Sequence, residues 1–94
     1  MLKISGHEIW RGGEKVGFIE RNYILSHDGK KLGYFDGHHV YDMDSHKIAY
    51  IDGNHLYSEG SGNTKISLDK VNEGVIGGIL TEIGKSAVYI LIGV

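Results

Sequence analysis

Apolar and polar residues alternate along the first two thirds of the chain, and the alternation returns at a fixed interval. Related segments begin at Ile19, Phe35 and Ile51, sixteen residues apart. An earlier copy begins at Ile4 and has one residue fewer in its turn. Period-two alternation is typical of half-buried β-strands, and a short fixed repeat indicates one supersecondary unit copied along the chain. The pattern therefore predicts a mainly β domain built from repeated units.

Turn residues separate the strands at both ends, which predicts β-hairpins. Glycine-containing reversals occur at Asp28-Gly29, Asp36-Gly37 and Asp52-Gly53. A longer loop over residues 59–63 leads into a degenerate fourth copy. We predict four antiparallel hairpins over residues 4–68, arranged as a radially closed or barrel-like meander, because closure removes the exposed edges of an open sheet. A stacked solenoid is the alternative.

A small residue recurs in the middle of each return strand. The four return strands are Val16-Gly17-Phe18, Leu32-Gly33-Tyr34, Ile48-Ala49-Tyr50 and Ile66-Ser67-Leu68. Because neighbours on a strand point to opposite faces, the branched and aromatic residues should share one face and the small residue the other. The outgoing strands carry a recurring apolar position at Ile9, Ile24, Val40 and Leu56. The small side chains predict that a neighbouring strand or a central axis of the fold approaches closely on their face of the sheet.

The recurring segments resemble those of the short bacterial repeat proteins described as fourfold β-flower proteins. The Tyr-Asp, Asp-Gly-Asn/His and Lys-Ile/Leu-Gly/Ala-Tyr-Ile/Phe segments support this resemblance, which covers roughly residues 4–68. It implies a fourfold β fold. The family brings no established activity and no functional residues to this chain.

The last third of the chain changes to helical spacing. Apolar residues from Val71 to Leu91 recur every three or four positions, which predicts an amphipathic α-helix. We place this helix up to about residue 85 and leave residues 86–92 open between helix and strand. The chain is thus predicted to be a single domain, 1–94, in which residues 69–94 form a C-terminal helical segment.

Three roles are compatible with this C-terminal segment. It could cover the open end of the β repeat with its apolar face. It could self-associate, because the Gly74-x-x-x-Gly78 spacing permits close helix–helix approach. It could contact a membrane surface, although Glu82 and Lys85 interrupt the apolar stretch that a span requires.

Composition narrows the function classes. Ten lysines and arginines face twelve aspartates and glutamates, a formal charge of −2 with neutral histidines. No basic stripe of the kind that binds a phosphate backbone is evident, so we expect no nucleic-acid partner. The chain has no cysteine, which excludes disulfides and thiolate metal sites. The N-terminal residues lack the apolar run of a secretory signal, and we predict a cytoplasmic protein.

Catalytic and metal chemistry find little support in the sequence. No serine lies in a nucleophile-elbow motif, and the aspartates are of the turn-forming type. No two histidines have local zinc-motif spacing; an ion could be held only if Glu8, His39 and His55 converged from a ring of hairpins. We predict a non-enzymatic protein without metal or cofactor.

Aromatic residues occupy two repeated positions. Trp10, Tyr41 and Tyr57 share one on the outgoing strands, and Phe18, Tyr34 and Tyr50 share one on the return strands. We expect one set in the core and the other exposed as a recognition surface. The chain is therefore predicted to be a binding or assembly module with a second copy or another protein as partner. Its predicted contact residues are Trp10, Tyr41, Tyr57, His39 and His55. The alternative is a membrane-associated or self-associating protein acting through the C-terminal helix, with Gly74 and Gly78 at the contact.

Overall fold

A computed structural model describes residues 1–59, 64–78 and 80–93. In these residues the chain forms ten strands and two helices. The first five strands are β1 (Leu2–Ser5), β2 (Glu8–Arg11), β3 (Glu14–Glu20), β4 (Tyr23–Ser26) and β5 (Lys31–Phe35). The next four are β6 (His39–Asp42), β7 (Lys47–Asp52), β8 (His55–Ser58) and β9 (Thr64–Ser67). Helix α1 (Leu68–Gly74), strand β10 (Val75–Gly77) and helix α2 (Glu82–Leu91) complete the order.

All ten strands belong to one sheet. Strands β1 to β9 follow one another as an antiparallel meander, and β10 returns to pair in parallel with β1. The predicted hairpin meander with a C-terminal helix is confirmed, and solenoid stacking is excluded by this single sheet. The predicted radial closure is wrong, because β9 and β10 remain the two edges of the sheet and do not pair with each other. A helix follows β9 directly, so the chain leaves the sheet there instead of closing it.

The sheet is strongly curved. Ten flat strands would span about 43 Å between the outer strands at the usual inter-strand spacing, but the longest dimension of the molecule is 31 Å. Each of the first three return strands carries an extra residue in its pairing with the preceding strand, at Val16, Leu32 and Ile48. Such bulges bend a strand and increase its twist. Their recurrence every sixteen residues curls the meander around α2.

The bulges also change which way the branched residues point. Val16 and Ile48 pack against the core, whereas Phe18 pairs with Glu8 on the opposite face. The prediction that the branched and aromatic residues share a face is therefore wrong. A bulge places two successive residues opposite one partner, so simple alternation fails at that point.

The core lies between the concave face of the sheet and the helices. Ile9, Ile24, Val40 and Leu56 are fully buried there, together with Val88 of α2. The recurring apolar position of the outgoing strands thus forms the centre of the core, as a periodic buried face requires.

The small residues of the return strands lie beneath the end of α2. A methyl group on Gly17 would come within 2.9 Å of Ile92, and one on Gly33 would come within 2.9 Å of Leu91. The predicted crowding is confirmed at these two glycines, and Ala49 is fully buried. Ser67 is different: Ile66 takes the corresponding place opposite Leu56. Because β8 and β9 pair without a bulge, the residue opposite Leu56 comes one position earlier in β9 than the repeat predicts.

The C-terminal segment is not one continuous helix. Ser67 caps α1 through its hydroxyl, which accepts a hydrogen bond from the amide of Lys70 at 3.2 Å. The helix ends at Gly74, because Val75 is extended, and Gly77 and Gly78 at the end of β10 adopt φ angles of 83° and 72°, which L-residues rarely adopt. Thr81 then caps α2. The single helix predicted up to residue 85 is wrong, and most of the open segment 86–92 is helical.

This arrangement removes the basis of the predicted glycine contact. Gly74 is the last residue of α1, and Gly78 lies beyond β10. The two glycines therefore do not lie on one helix face, so the predicted close approach through a Gly-x-x-x-Gly surface is wrong. Neither described helix is long and apolar enough to cross a membrane.

Candidate functional site

Five tyrosines lie side by side on the convex face of the sheet, opposite the helices. This tyrosine row consists of Tyr23, Tyr34, Tyr41, Tyr50 and Tyr57, one on each strand from β4 to β8. All five are half-buried. They share a face because each neighbours a core-facing residue on its strand, and side chains alternate between faces. The curvature of the sheet turns this face outward.

The rings of the tyrosine row stack across neighbouring strands. The ring centroids of Tyr34 and Tyr41 are 4.8 Å apart at an interplanar angle of 11°. Those of Tyr50 and Tyr57 are 5.1 Å apart at 15°. These separations are close to the spacing of adjacent strands, so the rings stand upright on the sheet. Their faces turn toward one another, and their edges and hydroxyl groups turn toward solvent.

Two predicted histidines belong to the same surface. The ring of His39 lies 6.0 Å from that of Tyr41 and 6.2 Å from that of Tyr50, centroid to centroid. His55 lies 6.3 Å from Tyr57. The structure therefore brings together Tyr41, Tyr57, His39 and His55, four of the five predicted contact residues.

Trp10 lies on the same face but outside the row. It stands on β2, paired with Lys3 and Lys15, and Phe18 and Leu25 separate it from the tyrosines. The expectation that one aromatic set fills the core is wrong, because both sets lie on the convex face. Tyr23, Tyr34 and Tyr50 were not among the predicted contact residues, although strict alternation around the core-facing positions would have placed them beside Tyr41.

Lysines line the convex face next to the aromatic rings. We call the residues Lys15, Lys31, Lys47 and Lys65 the lysine row; they stand on β3, β5, β7 and β9. The ammonium group of Lys31 lies 4.4 Å from the ring centroid of Tyr23, and that of Lys65 lies 5.9 Å from Tyr57. Such contacts are favourable cation–π interactions. They place an ammonium group against the first and the last ring of the tyrosine row.

The convex face is more basic than the whole chain. By strand register it carries five lysines, the lysine row and Lys3, against three carboxylates, those of Glu8, Glu20 and Asp52. The balance over the strands is +2, or +1 when Asp36, which bonds the Tyr41 hydroxyl, is included, whereas the chain as a whole is −2. Lys15 pairs with Glu8 at 3.3 Å. Lys31, Lys47 and Lys65 form no ion pair among the described residues, so their charges are available to a partner.

A carboxylate fixes the middle residue of the tyrosine row. The hydroxyl of Tyr41 donates to Asp36 at 2.6 Å, and the same carboxylate accepts from the backbone amides of His38 and His39. The hydrogen bond from the Tyr41 hydroxyl has the largest effect and the bonds from these amides a smaller one; together they lower the pKa of Asp36 from 3.8 to about 2. The pKa of Tyr41 is raised in turn by its bond to Asp36. This bond orients the Tyr41 ring at the strand end.

The Asp36 contact gives a pH-dependent prediction. Because the folded pKa of Asp36 lies below 3.8, its stabilising effect is present above about pH 4 and is lost as the pH falls toward 2. Tyr41→Phe should raise the Asp36 pKa toward 3.8, measured by NMR titration of the side-chain carboxyl carbon. Tyr34→Phe is the matched control, since the Tyr34 hydroxyl donates to Ser45 and not to Asp36. An unchanged Asp36 pKa in Tyr41→Phe would contradict the bond.

The histidines do not form the convergent metal site considered from the sequence. His39 and His55 stand on strands separated by β7, about 10 Å apart at the usual strand spacing, and Glu8 stands four strands from His39. The described residues instead group Asp42, Asp44 and His46. There the Asp42 carboxylate accepts from the backbone amides of Asp44 and His46, both at 2.9 Å. The three side chains lie together because the Asp42 carboxylate holds the turn between β6 and β7 through these hydrogen bonds.

Comparisons with known proteins do not assign the chain to a family. No family model, no curated protein and no solved structure matches it. The resemblance to β-flower proteins stays a prediction, and the tyrosine row with its lysines is the most distinctive candidate site of the molecule.

Proposed function

We propose that this domain is a non-enzymatic binding module that contacts an acidic segment of a partner protein through its convex face. The observation that supports this most directly is the combination of a rigid tyrosine row with unpaired lysines on an uncovered sheet face. Tyrosine supplies a large contact area at a low entropic cost, since it has two side-chain torsions. Neighbouring strands and stacked rings already restrict those torsions here, which lowers the cost of binding further.

The ring orientation favours a protein over a sugar or a nucleobase as the partner. Sugars and bases stack on open aromatic faces, but in the tyrosine row four rings stack in two pairs, and Lys31 and Lys65 lie against the two remaining exposed ends of the stacking, at Tyr23 and Tyr57. The hydroxyls of Tyr34 and Tyr41 already donate to Ser45 and Asp36. The groups left for a partner are ring edges, the other hydroxyls of the row and ammonium groups. Such groups suit carboxylate and backbone acceptors on a protein surface, and tyrosine is enriched at protein interfaces.

The alternative function through the C-terminal helix has lost its structural premise. The apolar residues of α2, including Ile83, Ala87 and Val88, are buried against the sheet. A helix that uses its apolar face for the core of its own domain does not present that face to a membrane or a second copy. The convex face therefore remains the better-supported surface.

Selection from a random peptide library displayed on phage tests the proposal. Peptides enriched on the folded domain should be rich in aspartate and glutamate, and their affinity should fall as salt rises. The triple variant Lys31→Gln, Lys47→Gln and Lys65→Gln should bind them at least tenfold more weakly. All three lysines are exposed, so the variant should keep its unfolding temperature.

A charge-matched variant provides the control. Lys30→Gln, Lys70→Gln and Lys85→Gln remove the same charge from a turn and from the two helices, and should leave peptide affinity unchanged. If both triple variants lost peptide affinity equally, net charge alone would explain the binding, and the proposal would be overturned. Tighter binding of single-stranded oligothymidine than of the selected peptides, or no enrichment, would overturn it too.

A further inference from the structure

A cavity opens between the concave face of the sheet and the beginning of α2, away from the tyrosine row. Its volume is about 460 Å³, within the range of roughly 300–1,000 Å³ typical of small-molecule sites. Apolar side chains form most of its wall, those of Ile4, Ile19, Phe35 and Leu80. The first three lie near the ends of strands β1, β3 and β5, where the chain turns toward the next hairpin.

The polar side chains that line this cavity are basic or neutral. Arg21 and His7 belong to two neighbouring inter-hairpin turns, and Thr81 caps α2. No carboxylate lines the cavity among the described residues, and Arg21 forms no ion pair within that part of the chain. The amino-terminal end of α2 adds the positive end of a helix dipole. The cavity thus combines an apolar wall with basic and neutral polar groups, while Glu82, in the first turn of α2, does not line it.

The backbone of Arg21 is strained, and its three counterparts in the repeat are glycines, of which Gly37 does not share the positive φ angle. Arg21 has φ 57°, while Gly6 and Gly53 hold the corresponding turn position with φ 60° and 62°. Glycine adopts this conformation without steric cost, whereas an L-residue does not. Arg21 is therefore a costly residue at a position where glycine is sufficient for the turn. Strain of this kind clusters at ligand sites, where the side chain gives a compensating advantage.

We propose that this cavity binds a small amphipathic carboxylate, with its hydrocarbon part against Ile4, Phe35 and Leu80 and its carboxylate paired with Arg21. The guanidinium group can donate two parallel hydrogen bonds to a carboxylate. His7, in the adjacent turn, can donate a further one. The ligand is a free medium-chain acid, because the cavity is apolar enough for an alkyl chain and none of the described residues that line it is acidic.

Sodium decanoate is the probe for this site, with binding measured by titration and mapped by amide chemical shifts. Decanoate should shift residues around Ile4, Ile19 and Phe35, and methyl decanoate should bind at least tenfold more weakly. Arg21→Gly should weaken decanoate binding at least tenfold while raising the temperature of unfolding. Weaker binding in a more stable variant would show that Arg21 serves the ligand and not the fold.

Two further variants keep the test decisive. Ser45→Gly places glycine at the other described non-glycine residue with positive φ (65°), which does not line the cavity, and should leave decanoate affinity unchanged. Leu80→Trp should fill the cavity and weaken binding at least tenfold with every charge retained. Equal affinity of wild type and Arg21→Gly, equal affinity for decanoate and its methyl ester, or shifts confined to the lysine row would each overturn the proposal.

Discussion

A chain that ends after Leu68 should lose cooperative folding. The concave face of the sheet is covered by α1, β10 and α2, and five of its side chains are fully buried: Leu2, Ile9, Ile24, Val40 and Leu56. Full burial of a side chain of this size is worth roughly 1.5–3 kcal/mol. Uncovering the five therefore removes stabilisation comparable with the roughly 5–15 kcal/mol that holds a typical domain folded. Thermal unfolding followed by circular dichroism should show no sigmoidal transition for residues 1–68.

Substitutions in the 94-residue chain show whether the loss of folding comes from the missing packing of α2 or from the shorter chain. Ala87→Asp places an unpaired carboxylate at a fully buried position of α2, and it should abolish the transition as truncation does. Glu82→Ala changes an exposed residue of the same helix and should shift the midpoint only slightly. A sharp transition in the 1–68 fragment would show that the hairpins fold without the helices and would contradict this account of the core.

The local part of the fold was predictable from the sequence. Alternation with period two identifies strands, and glycine or aspartate between two such runs identifies hairpin turns; both signals act over a few residues. The recurring Ile9, Ile24, Val40 and Leu56 mark the core face for the same reason. These predictions hold because each strand from β1 to β8 pairs with the next strand along the chain, so that sequence order equals spatial order over the meander.

The parts that depend on distant residues were not predictable. Closure was favoured because open edges are unfavourable, yet β10 pairs with β1 across about seventy residues of chain, and no local signal indicates this pairing. The helical spacing of the C-terminal segment concealed a strand: α1 ends at Gly74, where Val75 is already extended and pairs with Leu2, a residue more than seventy positions earlier.

The candidate sites divide in the same way. The tyrosine row could be predicted in part, since repetition places Tyr41 and Tyr57 in equivalent positions. Its extension to Tyr23, Tyr34 and Tyr50 depends on strand register. The cavity could not be predicted, because its wall forms where two turns from the first half of the sequence meet the beginning of α2.

Gly33→Ala should be strongly destabilising. A methyl group there would approach the side chain of Leu91 to 2.9 Å and would come closer still to the carbonyl oxygen of Tyr41. Overpacking of a closed core costs roughly 1–3 kcal/mol, and we expect the upper end because a backbone atom is involved. For a domain of this size, a loss of about 3 kcal/mol lowers the midpoint of thermal unfolding by roughly 15 °C. Gly37→Ala is the matched control, since no atom lies within 4 Å of its added methyl group and its φ is not positive; it should be neutral or slightly stabilising.

A double-mutant cycle identifies which contact makes position 33 intolerant. Ala49 fills the equivalent position of the next hairpin and is fully buried, so the hairpin itself can accommodate a methyl group there. The side chain of Leu91 on α2 is the second obstacle at Gly33, and the cycle measures the share of the cost that it adds to that of the Tyr41 carbonyl. Leu91→Ala alone should destabilise the domain, but in the Gly33→Ala background its cost should be much smaller, with a coupling free energy of about 1 kcal/mol or more. Strict additivity of the two substitutions would assign the intolerance to the Tyr41 carbonyl and would show that the sheet, independently of the helix above it, requires glycine at this point.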